Sequence, residues 1–167
     1  MTAHTDWLRR LLVRDLKSVG TELELFPDDE LVWTAPPGVS NSAGTLTLHI
    51  CGNLQYFVGT VLGGTSYVRQ RQLEFSLRDI AREALITEIA TTIQVVDATL
   101  AGLDDARLLE PYPDVLGGLR LPGGLFLHHL SVHLGFHLGQ MGYVRRFLTG
   151  RSTTSGAIDM HRLNDIA

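Results

Sequence analysis

Three of the seven histidines, His129, His133 and His137, recur every fourth residue within GGLFLHHLSVHLGFHLGQMGYVRRFLTG, Gly123 to Gly150. On an α-helix that spacing advances about 400° per step, so the rings share one slowly drifting stripe. From Leu121 to Val144 there is no Asp, Glu, Lys or Arg. Leu125, Phe126, Leu130, Val132, Leu134, Phe136, Leu138 and Met141 fill most of the remaining circumference. A helix apolar nearly all round is expected to be buried. Imidazoles in such a place need partners, because an unpaired buried polar group costs roughly 1–3 kcal/mol. Either backbone carbonyls and waters satisfy them as core histidines, or a divalent metal does.

Two histidines four apart on a helix can direct ring nitrogens to one ion. His129 and His137 are about 12 Å apart along the axis. An ion held near 2.1 Å from each nitrogen therefore takes His129 with His133, or His133 with His137. A third ligand has to come from another helix. His49 is the only histidine inside a different expected core helix, and it too lies on a charge-free segment, Leu31–Val68. Three neutral imidazoles and one open position describe a catalytic rather than a structural zinc site. Nickel fits equally, and iron or manganese remain compatible, since affinity order alone does not choose among them.

Four helices would position these residues. Thr5 or Asp6 can cap a first helix to about Leu25, with Trp7, Leu8, Leu11, Leu12, Asp15, Leu16, Val19 and Leu23 inward. Arg9, Arg10, Arg14 and Lys17 then point outward. Phe26-Pro-Asp-Asp-Glu ends it, and Val32–Gly38 is extended or turn-like around Pro36 and Pro37. A second helix runs from Ser42 to about Leu62, closed by Gly63-Gly64, and carries Leu46, His49, Ile50, Asn53 and Phe57 on inner faces. Tyr67–Phe75 connects. Ser76-Leu-Arg-Asp79 resembles a capping box and opens a third helix to about Leu103, with Glu88 among its solvated residues. Asp104–Pro122 crosses over, with a small hairpin between Leu108–Tyr112 and Leu119–Leu121. The histidine-bearing stretch is the fourth helix, closed by Arg145, Arg146 and Gly150. Residues 151–167 form a tail with a short helix. Four helices of about 20 residues predict a four-helix bundle.

The 167 residues fit one domain, 1–167, long enough to bury a single core. A net charge of −4 argues against a duplex nucleic-acid binder, which normally shows a basic stripe. The single Cys51 cannot form an internal disulfide and suits a reducing cytoplasm. The N-terminal segment has charges among its apolar positions and no signal-peptide core. The two long uncharged stretches are broken by Pro, Asn, Gln, Gly and His, so both predict interior helices rather than membrane spans.

His133-Leu-Gly-Phe-His137-Leu-Gly139-Gln140 resembles the H-x-x-x-H-x-G-Q signature of the DinB/YfiT-like superfamily. Gly44-Thr-Leu-Thr-Leu-His49 with Gly52-Asn53-Leu54 is similar to that family's second-helix histidine segment. Tyr67-Val-Arg69-Gln-Arg71 with Glu74-Phe75 resembles a connector in one of its branches. The resemblance spans about residues 5–150. It implies an up-down-down-up bundle with a long crossover before the last helix, a divalent metal on three histidines, and frequent homodimerisation. Carried over by position, it implies His49, His133 and His137 as the triad, with His129 just outside it. It also implies thiol-dependent S-transfer as a candidate activity beside hydrolysis. The expected partners are a small-molecule substrate, including a low-molecular-weight thiol, and a second copy of the chain, with no nucleic acid and no membrane. A non-catalytic metal- or ligand-binding dimer is the alternative.

Other residues carry weaker chemistry. Gln140, three residues past His137, can orient a ligand or solvent. Cys51 lies about 200° from His49 and reads as a small buried hydrophobe. Asp15 reads as an edge residue or as a partner for a histidine ring. Arg69, Arg71 and Glu74 form either a structural salt bridge or a rim for an anionic or thiol cosubstrate. Trp7 and Trp33 read as packing residues. Gly135 and Gly139, each costing roughly 1 kcal/mol inside a helix, suggest close helix approach.

Overall fold

The computed structural model describes residues 3–115 and 117–164, and these are all-helical, with one isolated antiparallel bridge between Pro111 and Pro122. Four long helices dominate: α1 (Ala3–Glu24), α3 (Ala43–Leu54, continued by a π-helical turn Gln55–Thr60), α5 (Arg82–Ala101) and α7 (Gly123–Thr149). Short helices α2 (Asp29–Trp33), α4 (Arg71–Ser76) and α6 (Ala106–Leu109) lie in the connections, and a 3-10 turn, Met160–Leu163, lies in the tail.

One cluster of buried side chains joins all four long helices. Leu12, Leu16, Val19 and Leu23 of α1 meet Leu85, Ile89, Val96 and Leu100 of α5, Ile50 and Leu54 of α3, and Leu130, Leu134 and Met141 of α7. Each such side chain contributes about 1.5–3 kcal/mol on leaving water. The helix α1 packs on α5 and α7, and α3 packs on the same two. Contacts fix the directions. Arg9 meets Asp97 while Phe26 accepts from Arg82, so α1 and α5 are antiparallel. Gln55 meets Glu88, and added Cβ atoms on Gly59 and Gly63 would strike Val95 and Thr99, so α3 and α5 run the same way. Close approach is therefore built at Gly59 and Gly63, where a side chain would sit within 2.5 Å of α5.

Several helix ends differ from expectation because their caps come from elsewhere in the chain. Thr5 and Asp6 lie inside α1, where the first-turn amides of His4 and Thr5 donate to the Asp105 carboxylate. Ser76 ends α4 rather than opening α5. The free amide of Arg82, at the start of α5, is accepted by Asp29 at 3.0 Å. Ser42, by contrast, caps α3 through the amide of Thr45 as the sequence suggests. The expected hairpin reduces to two backbone bonds, Tyr112 to Leu121 and Gly123 to Glu110, because Leu108 belongs to α6.

Charges also moved inward. Arg9 is buried between Asp6 and Asp97, Arg14 pairs with Asp15 at 2.8 Å, and Glu88 accepts from Gln55. Trp33 packs as expected, its indole donating to the Ile80 carbonyl, whereas Trp7 is mostly exposed. Among the described helices, α5 is long and apolar enough to cross a membrane by length and composition. In the fold, however, one of its faces lies in the core and its Asp97 pairs with α1.

The helix α7 is not buried all round. Leu125, Val132, Phe136, Tyr143 and Phe147 form an exposed stripe at spacings of seven and four, opposite the core residues Leu127, Leu130, Leu134, Leu138 and Met141. Gly135 and Gly139 do not enforce close approach: a Cβ on Gly139 would meet nothing within 4 Å, and one on Gly135 only Asp15 at 3.9 Å.

Candidate metal centre

The helices α3 and α7 run antiparallel, since His49 faces His133 and His137 while Phe57 faces Phe126. Their shared groove brings the three Nε2 atoms together. His133 Nε2 is 3.2 Å from His49 Nε2 and 3.0 Å from His137 Nε2, and ligand atoms of all three residues lie within 4.8 Å of one another. Nitrogens at about 2.1 Å around a tetrahedral ion are separated by roughly 3.4 Å. Small outward ring shifts would reach that spacing. His129 lies outside the cluster, stacked between Phe126 and His133 with ring centres 6.0 and 6.2 Å away.

Two outer partners set the ring tautomers. Glu74 Oε2 lies 2.9 Å from His49 Nδ1, and Gln140 Oε1 lies 2.8 Å from His137 Nδ1. Burial works against the Glu74 charge. Hydrogen bonds from His49 and Arg69, and the Arg69 charge itself, outweigh it and hold the carboxyl below its ordinary range. An ionised carboxylate only accepts, so His49 Nδ1 must donate and its Nε2 must present a lone pair. With its amide oxygen turned to His137 Nδ1, Gln140 favours the same state there. Both lone pairs then point at His133 Nε2, which holds at most one proton to share between them. A cation answers that surplus of acceptors, and neutral imidazoles are soft enough for zinc or nickel.

Electrostatics keep His133 and His137 neutral. Burial, reinforced by the neighbouring His137, His49 and His129 rings and by Arg69, pushes His133 down to about 4. Burial and His49 lower His137, against the bond to Gln140. At neutral pH no proton has to be displaced from either ring before a metal enters.

Arg69 grips Glu74 with Nε on Oε1 at 2.7 Å and Nη2 on Oε2 at 2.9 Å, so the expected ion pair is present. Arg71 does not join it and lies over the Phe75 ring. The contact of Glu74 with His49 is not legible in residue spacing, being 25 positions away. The one local signal is Gly52 inside α3, where a Cβ would come within 2.5 Å of Glu74 Oε1. Asn53, one turn past His49, has a buried Oδ1 with no partner among the described residues. Asp15 reaches no histidine. Cys51 is fully buried away from the triad, its thiol pushed up to about 12 by burial. Gln140 also lines a cavity of about 350 Å³ with Leu46, Tyr143, Val144 and the Gly38–Asn41 loop, and that lining has no charged side chain.

A DinB superfamily model matches residues 11–141. No curated protein matches the chain. The crystal structure of a DinB-like protein from Bacillus cereus ATCC 10987 is similar in fold, with a TM-score of 0.61 at 19% identity, over 80% of this chain and 85% of that one. With the family match spanning most of its length, the chain belongs to the DinB superfamily.

Proposed function

We propose that His49, His133 and His137 hold one divalent metal, zinc or nickel first, and that the protein is a metal-dependent enzyme of thiol S-transferase or hydrolase type. The observation that carries this reading is the convergence of three Nε2 atoms whose outer nitrogens are tied to Glu74 and Gln140. Among the described residues no fourth metal-binding side chain joins the cluster, whereas a structural zinc normally has four protein ligands. A bound ion would act as a Lewis acid, lowering the pKa of a coordinated water or low-molecular-weight thiol. The chain's own residues orient the ligands, keep His133 and His137 unprotonated and, through the uncharged cavity beside Gln140, offer room for a small neutral reactant.

The helix directions support the up-down-down-up four-helix bundle of that family, in one domain, and the reducing setting suggested by a lone buried Cys51 fits a cytoplasmic protein. The exposed α7 stripe favours a two-fold homodimer, and is also what a non-catalytic metal-binding dimer would show. Light scattering should give a dimer mass at tens of micromolar, and Phe136→Glu should lower it to the monomer.

The deciding experiment is elemental analysis of untagged protein, followed by reloading with zinc, nickel or manganese. The loaded protein is then screened with thiols plus electrophiles and with activated esters. About one metal per chain with metal-dependent turnover is expected. No stoichiometric metal after reloading overturns the site. Metal without turnover of any class favours the non-catalytic dimer.

A further inference from the structure

Chain direction gives the segment between α3 and α5 an unusual path. Because the two helices run the same way, residues 64–81 must travel back along α3 before α5 can start. On that return the Tyr67 carbonyl accepts from the Thr60 hydroxyl, Glu74 reaches His49, and the Ile80 carbonyl accepts from Trp33. A surface connector has no need of a buried carboxylate, yet Glu74 is 5% exposed. Taking a carboxylate out of water is costly unless its oxygens are fully engaged. Here they are: Oε1 accepts from Arg69 Nε, and Oε2 accepts from Arg69 Nη2 and His49 Nδ1. The helix itself makes room, since any side chain at position 52 would collide with Oε1. Three separate features, a two-point arginine clamp, a glycine in mid-helix and a connector drawn against α3, converge on one carboxylate–imidazole bond.

We propose that Glu74, clamped by Arg69, is a positioning residue for metal capture. It holds His49 as the Nδ1–H tautomer with Nε2 turned to His133 and His137, so connector 67–76 is a clasp whose closure and ion binding strengthen one another. The proposal rests on the three-histidine metal reading and adds to it a residue outside the ligand set. Coupling of this kind is reciprocal: what the clasp adds to metal affinity, the metal adds to the clasp.

Zinc affinity, measured by competition with a chromophoric chelator, tests one side of the coupling. Glu74→Ala, which leaves His49 Nδ1 without its acceptor, should weaken zinc by about 10–100-fold, the usual loss on removing an outer partner of a metal-bound histidine. Glu74→Gln, whose amide oxygen can still accept, should weaken it less. Gly52→Ala should weaken it comparably by displacing the carboxylate. In a Glu74→Ala background Gly52→Ala should add less than about threefold, because the two changes act through one contact. Hydrogen exchange tests the other side: zinc should slow exchange across 67–76 in the wild type and not in Glu74→Ala. A merely structural Glu74 predicts the reverse pattern, a lower urea midpoint for the metal-free variant with zinc affinity intact, and that result overturns the proposal. Two-bond proton–nitrogen NMR of the metal-free protein separates failure of the clasp from failure of the site. The wild type should show His49 protonated at Nδ1, and Glu74→Ala a mixture. An Nε2–H tautomer in a wild-type chain that still binds zinc overturns the clasp alone. A wild type that binds no zinc overturns the site and the clasp together.

Discussion

The helix α7 carries two polar clusters one above the other, one fully buried and one half-buried, and they are built on opposite principles. Towards its C-terminus Arg145 is fully buried and donates through Nε to Glu22 of α1 and through Nη2 to the Thr153 carbonyl of the tail. Cation meets anion, and although Nη1 has no partner among the described residues, the charge is answered within the chain. Three turns earlier, three imidazoles on α3 and α7 meet nitrogen to nitrogen, acceptor against acceptor. The first cluster ties α1, α7 and the tail together with its charge balanced inside the chain. The second sets lone pairs face to face, which one proton on His133 answers only in part. The two clusters on this helix therefore differ in charge balance as well as in depth of burial.

Opposite single substitutions should break the two clusters in opposite ways. Arg145→Met leaves the Glu22 carboxylate buried without its cation, and removing one partner of a buried pair costs about 3–5 kcal/mol. A large fall in the urea midpoint is expected, with zinc per folded chain unchanged. His133→Ala removes the ring that both other imidazoles face. Zinc affinity should drop beyond the roughly 100-fold that marks loss of an outer partner, while the metal-free protein keeps its helical circular dichroism. If chelation or His133→Ala unfolds the chain, the metal holds the fold and the contrast between the clusters collapses.

Acidification sharpens the same contrast with a smaller effect. In the folded, metal-free chain His133 stays neutral down to about 4, against an ordinary value of 6.5. Between those values the unfolded chain binds a proton that the folded chain refuses, so falling pH favours unfolding. This contribution to stability is whole above 6.5 and is lost as pH falls towards 4, and His137, also lowered, adds to it with the same sign. Urea midpoints of metal-free protein should therefore decline across that window. His133→Leu should flatten part of the decline. An equal slope in the variant would place the titrating group elsewhere.

The parts of the site legible in the sequence are those set by helical period. His133 and His137 share a stripe because they are four apart, and Ser42 caps α3 through local chemistry. His49 could be named because it is the lone histidine on another charge-free helix, although the family resemblance, not spacing, chose His133 with His137 over His129. Illegible were the contacts made across the chain. Asp105 and Asp29 receive the first amides of α1 and α5, and Glu74 reaches His49, each from a distant segment. The exposed face of α7 was hidden for another reason: an apolar circumference predicts burial, but a single bundle covers only the side that meets its core.

Glycine is the finest test of which side of α7 carries the constraint, and here the expected effects are smallest. The sequence marks Gly135 and Gly139 as places where a helix comes close to its neighbour, and Gly59 is where the fold builds such an approach. The structure divides them. A Cβ at Gly59 would come 2.5 Å from a Val95 methyl on α5, a contact that only a shift of that side chain or of the helices relieves. A Cβ at Gly139 would meet nothing within 4 Å, and the residue is exposed in a regular helical turn. An alanine there keeps every contact and removes the backbone freedom that glycine brings to the unfolded chain, a gain of up to about 1 kcal/mol. Gly139→Ala should raise the urea midpoint slightly, and Gly59→Ala should lower it. Since Gly139 lies between His137 and Gln140 in sequence, zinc affinity should be unchanged in Gly139→Ala. A stability loss at Gly139 would mean that a partner covers this face in solution, and repeating the measurement across protein concentrations would show whether that partner is a second copy of the chain.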